Sequence, residues 1–432
     1  MTPASGAMPR RTAVAMFLSF ALAYFFAAIL RAVIATLAPE FSAELDLGAA
    51  DLGLLAGAFF LGFAVTQLPL GNALDRYGPR RVQLAMLALA VIGCAAFAAA
   101  QDFAGLIAAR FLIGMGVSAC LMAPMTSFRR HFDPTSQMRA ASWMLMTGSS
   151  GMVASTLPVQ WMLPLLGWRG LFWAMAGCLL VAMASIALLV PRDARVPRPA
   201  SRRSSAALTD YLQVVRHRTF LRLMPSGFFH YGGLLALQAL WIGPWLSRVC
   251  GWTPQEAAEG LFVLNVCMLL AFLSWGAVVP RLFARGWTAQ SLMRRVLPLS
   301  LCVLLLAIVL GDRAGVVTWT LFCVGSTVIA LALPTVGQAF GTALAGRALS
   351  AFNLVVFAGV FVLQWAIGGV IDLLDALGWT TLAAFRGAFG VLAAGCVLSY
   401  LWLVWFDDAP ATRPRAEAGG RTGDNLPPCR ES

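Results

Sequence analysis

Arg31 and Arg110 are the side chains that most need a chemical explanation, because each stands inside a long apolar run. Counted from the nearer end of its run, Arg31 lies about six residues in and Arg110 about seven, or ~10 Å at a rise of 1.5 Å per residue. A guanidinium at that depth meets a partner, meets an aqueous cavity, or snorkels to the headgroups. No carboxylate lies deep in any run: Asp51, Asp102, Glu256, Glu259, Asp372 and Asp375 all fall near ends. His230 is the one near-neutral titrating group inside a run, accompanied by Tyr231, Gln238 and Trp241. At 100° per residue these four fall at about 0°, 100°, 80° and 20°, one face of a helix that could line a cavity. There His230 either carries a proton or packs. Asn353 and Gln364 share a face of another run, where such residues contact solute or bond neighbouring helices. The sequence holds no phosphate-binding loop, nucleophile triad or metal cluster, and its nine cysteines are scattered without a C-x-x-C pair. An enzyme, a metal site and a cofactor are therefore not expected.

The elements that must position these groups follow from composition. Of 432 residues, 60% are apolar and only 12% charged, with a mean hydropathy of +0.79, too little charge to wet a soluble surface of that size. The net charge of +12 is carried by arginine alone and spread between apolar runs, which speaks against nucleic acid as a partner. Twelve runs have the length of a bilayer-spanning helix. They lie near Ala13–Leu37, Leu52–Leu70, Val82–Ala100, Phe103–Ala123, Ala140–Leu163, Trp168–Val190, Leu223–Leu246, Ala257–Val279, Val296–Leu310, Val316–Gln338, Ser350–Leu373 and Phe385–Trp405. The first is too long for a signal-peptide core and should remain as a helix. With the amino terminus cytoplasmic, 25 of the 31 arginines fall on that side, so both termini are expected in the cytoplasm.

The one long connection, rich in Arg, Pro and Ser, divides the chain into residues 1–190, a linker at 191–222 and residues 223–405, followed by a polar tail at 406–432 expected to be disordered. The halves repeat each other. Gly71-x-x-x-Asp75-Arg76 returns as Gly276-x-x-x-Pro280-Arg281, Val159-Gln160-Trp161 as Leu363-Gln364-Trp365, and Leu166-Gly167-Trp168 as Leu377-Gly378-Trp379. Three matches in the same order at nearly the same offset indicate duplication.

The segment Gly71-Asn72-Ala73-Leu74-Asp75-Arg76-Tyr77-Gly78-Pro79-Arg80-Arg81 resembles the signature loop G-x-x-x-D-R-x-G-x-R-R of the major facilitator superfamily, bacterial type. Arg110-x-x-x-Gly114-x-Gly116 and Gly167-Trp168-Arg169 extend the resemblance over nearly the whole chain. It implies an all-α membrane protein of the MFS fold, twelve transmembrane helices in two pseudo-symmetric six-helix bundles. It also implies a secondary transporter working by alternating access, functional as a monomer in the bacterial inner membrane. Gly71, Asp75, Arg76, Gly78, Arg80 and Arg81 would gate the cytoplasmic side, with Asp75 facing the start of the eleventh helix near Ser350. If the first and fourth helices line the central cavity, Arg31 and Arg110 converge on one outer vestibule and suit a small anionic solute, with proton coupling as one of the two readings of His230. The alternatives are an efflux pump for drugs or siderophore-like metabolites, since the segment from Gly148 to Pro158 only loosely matches the antiporter signature, and a non-transporting sensor or scaffold.

Overall fold

A backbone in lipid must satisfy its own hydrogen bonds, and this chain does so with helices. The structure, a computed structural model, describes residues 9–191, 211–340 and 342–406, and no strand occurs among them. Residues 192–210 of the expected linker and the tail beyond 406 lie outside the described residues. The helices are α1 Arg10–Leu45, α2 Ala49–Tyr77, α3 Pro79–Ala99, α4 Phe103–His131, α5 Pro134–Ala154, α6 Leu157–Leu189, α7 218–249, α8 Pro254–Ala284, α9 Ala289–Leu310, α10 Val316–Gln338, α11 Thr342–Ala376 and α12 Thr381–Trp405. Among the described residues, ten helices are long and apolar enough to cross a bilayer.

The two expected spans that do not qualify are reorganised rather than absent. The fifth run breaks at Ser155 and Thr156, whose hydroxyls turn back onto the Met152 and Val153 carbonyls at 2.7 and 2.6 Å. Pro158, which has no amide hydrogen, then opens the next helix. The stretch labelled α6 is broken by a kink at Gly167, where φ is +62° and ψ is 170°, so its first part, from Leu157, completes the fifth run and its second part is the sixth. Gly378, its counterpart in the repeat, also has positive φ, +83°. The seventh run alternates α turns with three π turns at Gly227–Tyr231, Leu237–Trp241 and Trp245–Val249.

Within the first half α1 packs on α5 and α6, while α2, α3 and α4 pack on one another; within the second, α9 lies against α10 and α12, and α11 against α7 and α12. The halves meet along α2 and α11, α1 and α7, and α5 and α8. Contact between α2 and α11 is backbone to backbone. A Cβ on Gly53 would stand 2.3 Å from the Gln364 carbonyl oxygen, and one on Gly368 would stand 2.2 Å from that of Ala49. Beside them the Asp372 carboxylate accepts the Ala49 and Ala50 amides at 2.9 and 2.7 Å, closing the amino end of α2 across the halves. Arg248 on α7 donates to Ser42 Oγ on α1 at 3.0 Å. All these ties lie at the end of the bundle away from Arg10 and Trp405. Toward the other end, Gly71 on α2 and Gly346 on α11 have nothing within 4 Å of a built Cβ.

Candidate functional site

Helix α1 runs on to Leu45, beyond the expected Leu37, so Arg31 stands close to its middle rather than near its outer end. It is half-buried, its Nε is sealed without a partner, and its guanidinium carbon lies 5.9 Å from the centre of the Phe63 ring on α2. Phe63 in turn lies 4.5 Å, centre to centre, from Phe357 on α11. Tyr231 on α7 is within electrostatic range of both Arg31 and Tyr24. Arg31 therefore lies over one ring of the first half, which itself touches a ring of the second. Cys120 on α4 accepts from Gln83 Nε2 on α3 at 3.1 Å.

Arg110 reaches the same stretch of α1 from α4, donating from Nη1 to the Leu30 carbonyl at 2.8 Å, directly before Arg31. The two arginines thus converge, but differently from the expected shared vestibule. Arg110 is completely buried beneath the Phe59 ring, 4.9 Å from its centre, and its Nε and Nη2 have no partner. The motif glycine one turn on lets this happen: a Cβ on Gly114 would stand 1.9 Å from the Phe59 carbonyl oxygen, so α4 presses onto α2 and shuts Arg110 in. Neither arginine is paired with a carboxylate among the described residues.

The four polar residues of α7 do not share one face. Each π turn inserts an extra residue, which rotates everything after it relative to a straight α-helical wheel. His230 is buried and its Nε2 lies 3.3 Å from Ser300 Oγ on α9, inside the second half. Gln238 donates to Asn265 Oδ1 on α8 at 2.9 Å, and Trp241 donates to the Gln364 carbonyl on α11 at 3.1 Å. Gln364 itself is fully buried with neither amide atom partnered, and the Oε1 of Gln160, its counterpart in the repeat, is likewise unpartnered. Asn353 is half-buried on α11, one turn before Phe357.

The signature loop turns at Gly78, whose φ is +84°. Arg80 donates to the carbonyls of Ile186 and Ala187 at the end of α6, Arg76 lies over the Tyr77 ring, and Arg81 is exposed. Asp75 and Gly71 are exposed, and the Asp75 carboxylate has no hydrogen-bond or ion-pair partner among the described residues, Ser350 included. The carboxylate that does bridge α2 and α11 is Asp372, at the opposite end. Sequence reasoning had placed it only as a residue near a helix end; its position after the Gly368-Gly369 pair was the available signal. Phe63 and Phe357 were missed because a phenylalanine in an apolar run has no distinguishing mark.

Comparison with known proteins matches this arrangement. Residues 20–364 match the model of the Major Facilitator Superfamily. Multidrug resistance protein MdtL from Escherichia coli O81 (strain ED1a) is 28% identical over 165 residues, which cover 38% of this chain and 41% of that protein, so the chain spans less than half of the relative it matches. Among solved structures, a bacterial homologue of the human lysosomal transporter Spinster, inward-facing and unoccupied, superposes with a TM-score of 0.74 at 15% identity, covering 94% of this chain and 100% of that one. The D-xylose-proton symporter gives 0.70 at 15% identity, covering 91% and 98%. The fold, the signature loop and the family match agree: this chain is a multi-pass membrane protein and belongs to the Major Facilitator Superfamily of transporters.

Proposed function

We propose that this protein is a secondary transporter that carries a small organic anion across the bacterial inner membrane, with both termini in the cytoplasm. The observation that carries this reading is Arg31: a mid-helix guanidinium between the halves with no carboxylate partner among the described residues. A charge in that position is stabilised when an anion arrives, and guanidinium suits a planar carboxylate through paired hydrogen bonds. Closure at the Asp372 end, with Asp75 unengaged, supports a conformation open toward the cytoplasm. Rocking of the two halves, residues 1–190 and 223–405, would then break the Asp372 tie and bring Asp75 to the start of α11, so that Gly71, Asp75, Arg76, Gly78, Arg80 and Arg81 gate the cytoplasmic side. Energy comes from an ion or solute gradient. The Ser300 contact of His230 supports packing for that residue rather than proton transfer.

The test is counterflow in proteoliposomes with radiolabelled organic acids. Arg31→Gln is expected to lower anion exchange at least tenfold and to leave any neutral solute within twofold. Equal loss for both would assign Arg31 a structural role. Export of drugs is the second reading, favoured by the similarity to MdtL over 165 residues. Thermal stabilisation of the purified protein by cationic drugs, and none by organic acids, would replace the anion reading with that one.

A further inference from the structure

A cavity of about 410 Å³ lies at the closed end of the bundle, between α1 and α2 of the first half and α7 and α8 of the second. Ala35, Pro39 and Ser42 continue the Arg31 face of α1 outward along one wall. Its inner end is a backbone contact: a Cβ on Gly243 would stand 2.9 Å from the Ala35 carbonyl oxygen, so α7 lies directly on α1 one turn outward from Arg31. Arg31 itself is not among the lining residues. The walls are small or apolar, with Ala38, Leu52, Pro244, Ala257 and Leu261 among them. Two lining hydroxyls are already spent, Thr36 on the Ser155 carbonyl at 2.8 Å and Ser247 on carbonyls of its own helix. That leaves one polar corner. There Arg248, which is exposed, donates from Nη2 to Ser42 Oγ at 3.0 Å and has no ion-pair partner among the described residues. The Ser42 hydroxyl accepts in that bond and makes no donation of its own among the described residues. An apolar chamber with a guanidinium and a hydroxyl at one end is complementary to an amphiphile with one anionic head. We infer that this cavity binds a medium-chain alkyl carboxylate, with its acid group on Arg248 and Ser42 and its tail along the walls of α1, α7 and α8. Ten heavy atoms, the size of octanoate, fill ~300 Å³ at roughly 30 Å³ each, the share of a water in the liquid, so one such chain fits and a two-chain lipid does not. The ligand touches both halves, so it stabilises the shape in which this end is shut and opposes their rocking. This site stands apart from the anion reading of Arg31 and does not depend on it.

Calorimetric titration of the wild-type protein in detergent with octanoate, butyrate and 1-octanol, against matching detergent blanks, separates tail from charge. Each buried methylene is worth about fourfold in affinity, so butyrate, four methylenes shorter, is expected to bind at least tenfold more weakly than octanoate. Octanol, which has the tail without the charge, is expected to bind at least fivefold more weakly. Arg248→Gln should cost octanoate at least tenfold and octanol less than twofold. Ala258→Leu, which fills the cavity from α8, should weaken both, and Arg31→Gln should leave octanoate within twofold of wild type. Octanoate should also slow alkylation of a cysteine placed at Leu47 several-fold, and unchanged or faster alkylation would overturn the clamping of this end. Equal affinities for octanoate and butyrate, or for octanoate and octanol, would overturn the site. So would octanoate binding that is lost in Arg31→Gln and kept in Arg248→Gln, a result that moves the ligand to the central arginine and leaves the anion reading standing. The wild-type series needs no variant, so a misfolded Ala258→Leu protein does not blunt the test.

Discussion

Arg31 and Arg110 have the same side chain in neighbouring places and differ in what encloses them. Arg31 keeps an open head and a sealed Nε, whereas Arg110 is shut beneath Phe59 with two nitrogens unpartnered. A wholly buried, half-satisfied charge costs stability, and replacing it by an apolar side chain of similar volume is often neutral or favourable. Arg110→Leu is therefore expected to keep the thermal midpoint within about 3 °C of wild type, or to raise it, while transport falls at least tenfold. A midpoint drop typical of a large core truncation, with transport per folded molecule intact, would show that Arg110 serves only the fold. That both arginines matter was legible in the sequence, because charge is rare in an apolar run. Their different exposure was not, since it depends on Gly114 bringing α4 against the Phe59 backbone.

Helices α2 and α11 hold the same lesson in their pairing. The signature loop identified Asp75 at one end of α2, but the engaged acid is Asp372 at the end of α11, accepting two amides at the start of α2. Hydrogen bonds to a charged group contribute roughly 1.5–3 kcal/mol each, so Asp372→Asn, which keeps the shape and loses the charge, is expected to shift the balance toward opening at that end by about tenfold. Spin labels at Leu47 and Leu377 would report it as a longer-distance population in double electron–electron resonance. An unchanged distance distribution would mean that the glycine contacts alone hold this end. Helical periodicity located α2 and α11 within a few residues because their apolar stretches are regular. It failed for α5, where Ser155, Thr156 and Pro158 interrupt the helix, and for α7, where an α-helical wheel assigned four side chains to one face, yet His230, Gln238 and Trp241 bond to α9, α8 and α11 in turn.

The molecule as a whole is two sets of helices joined across backbone surfaces that leave no room for a side chain at Gly53 or Gly368. Gly53→Val is expected to insert, to fold in each half, and to lose transport, because α2 can no longer reach α11. Alkylation of a cysteine placed at Leu47 should then proceed several-fold faster than in wild type; equal rates would mean the helices separate elsewhere to admit the side chain. That two similar halves exist could be read from three short matches, and the shared positive φ of Gly167 and Gly378 agrees with them. Which end is shut could not be read, since the same residues serve both states. Helix α7 adds a mechanical property. A π turn takes more residues per turn than an α turn, so a rod containing three of them holds spare chain within its length. Converting one π turn to α lengthens the rod and swings the residues on one side of it about the axis, without unwinding the rest. Tyr231 closes the first of these turns, so slack let out there would swing its side chain about the helix axis like the pawl of a ratchet.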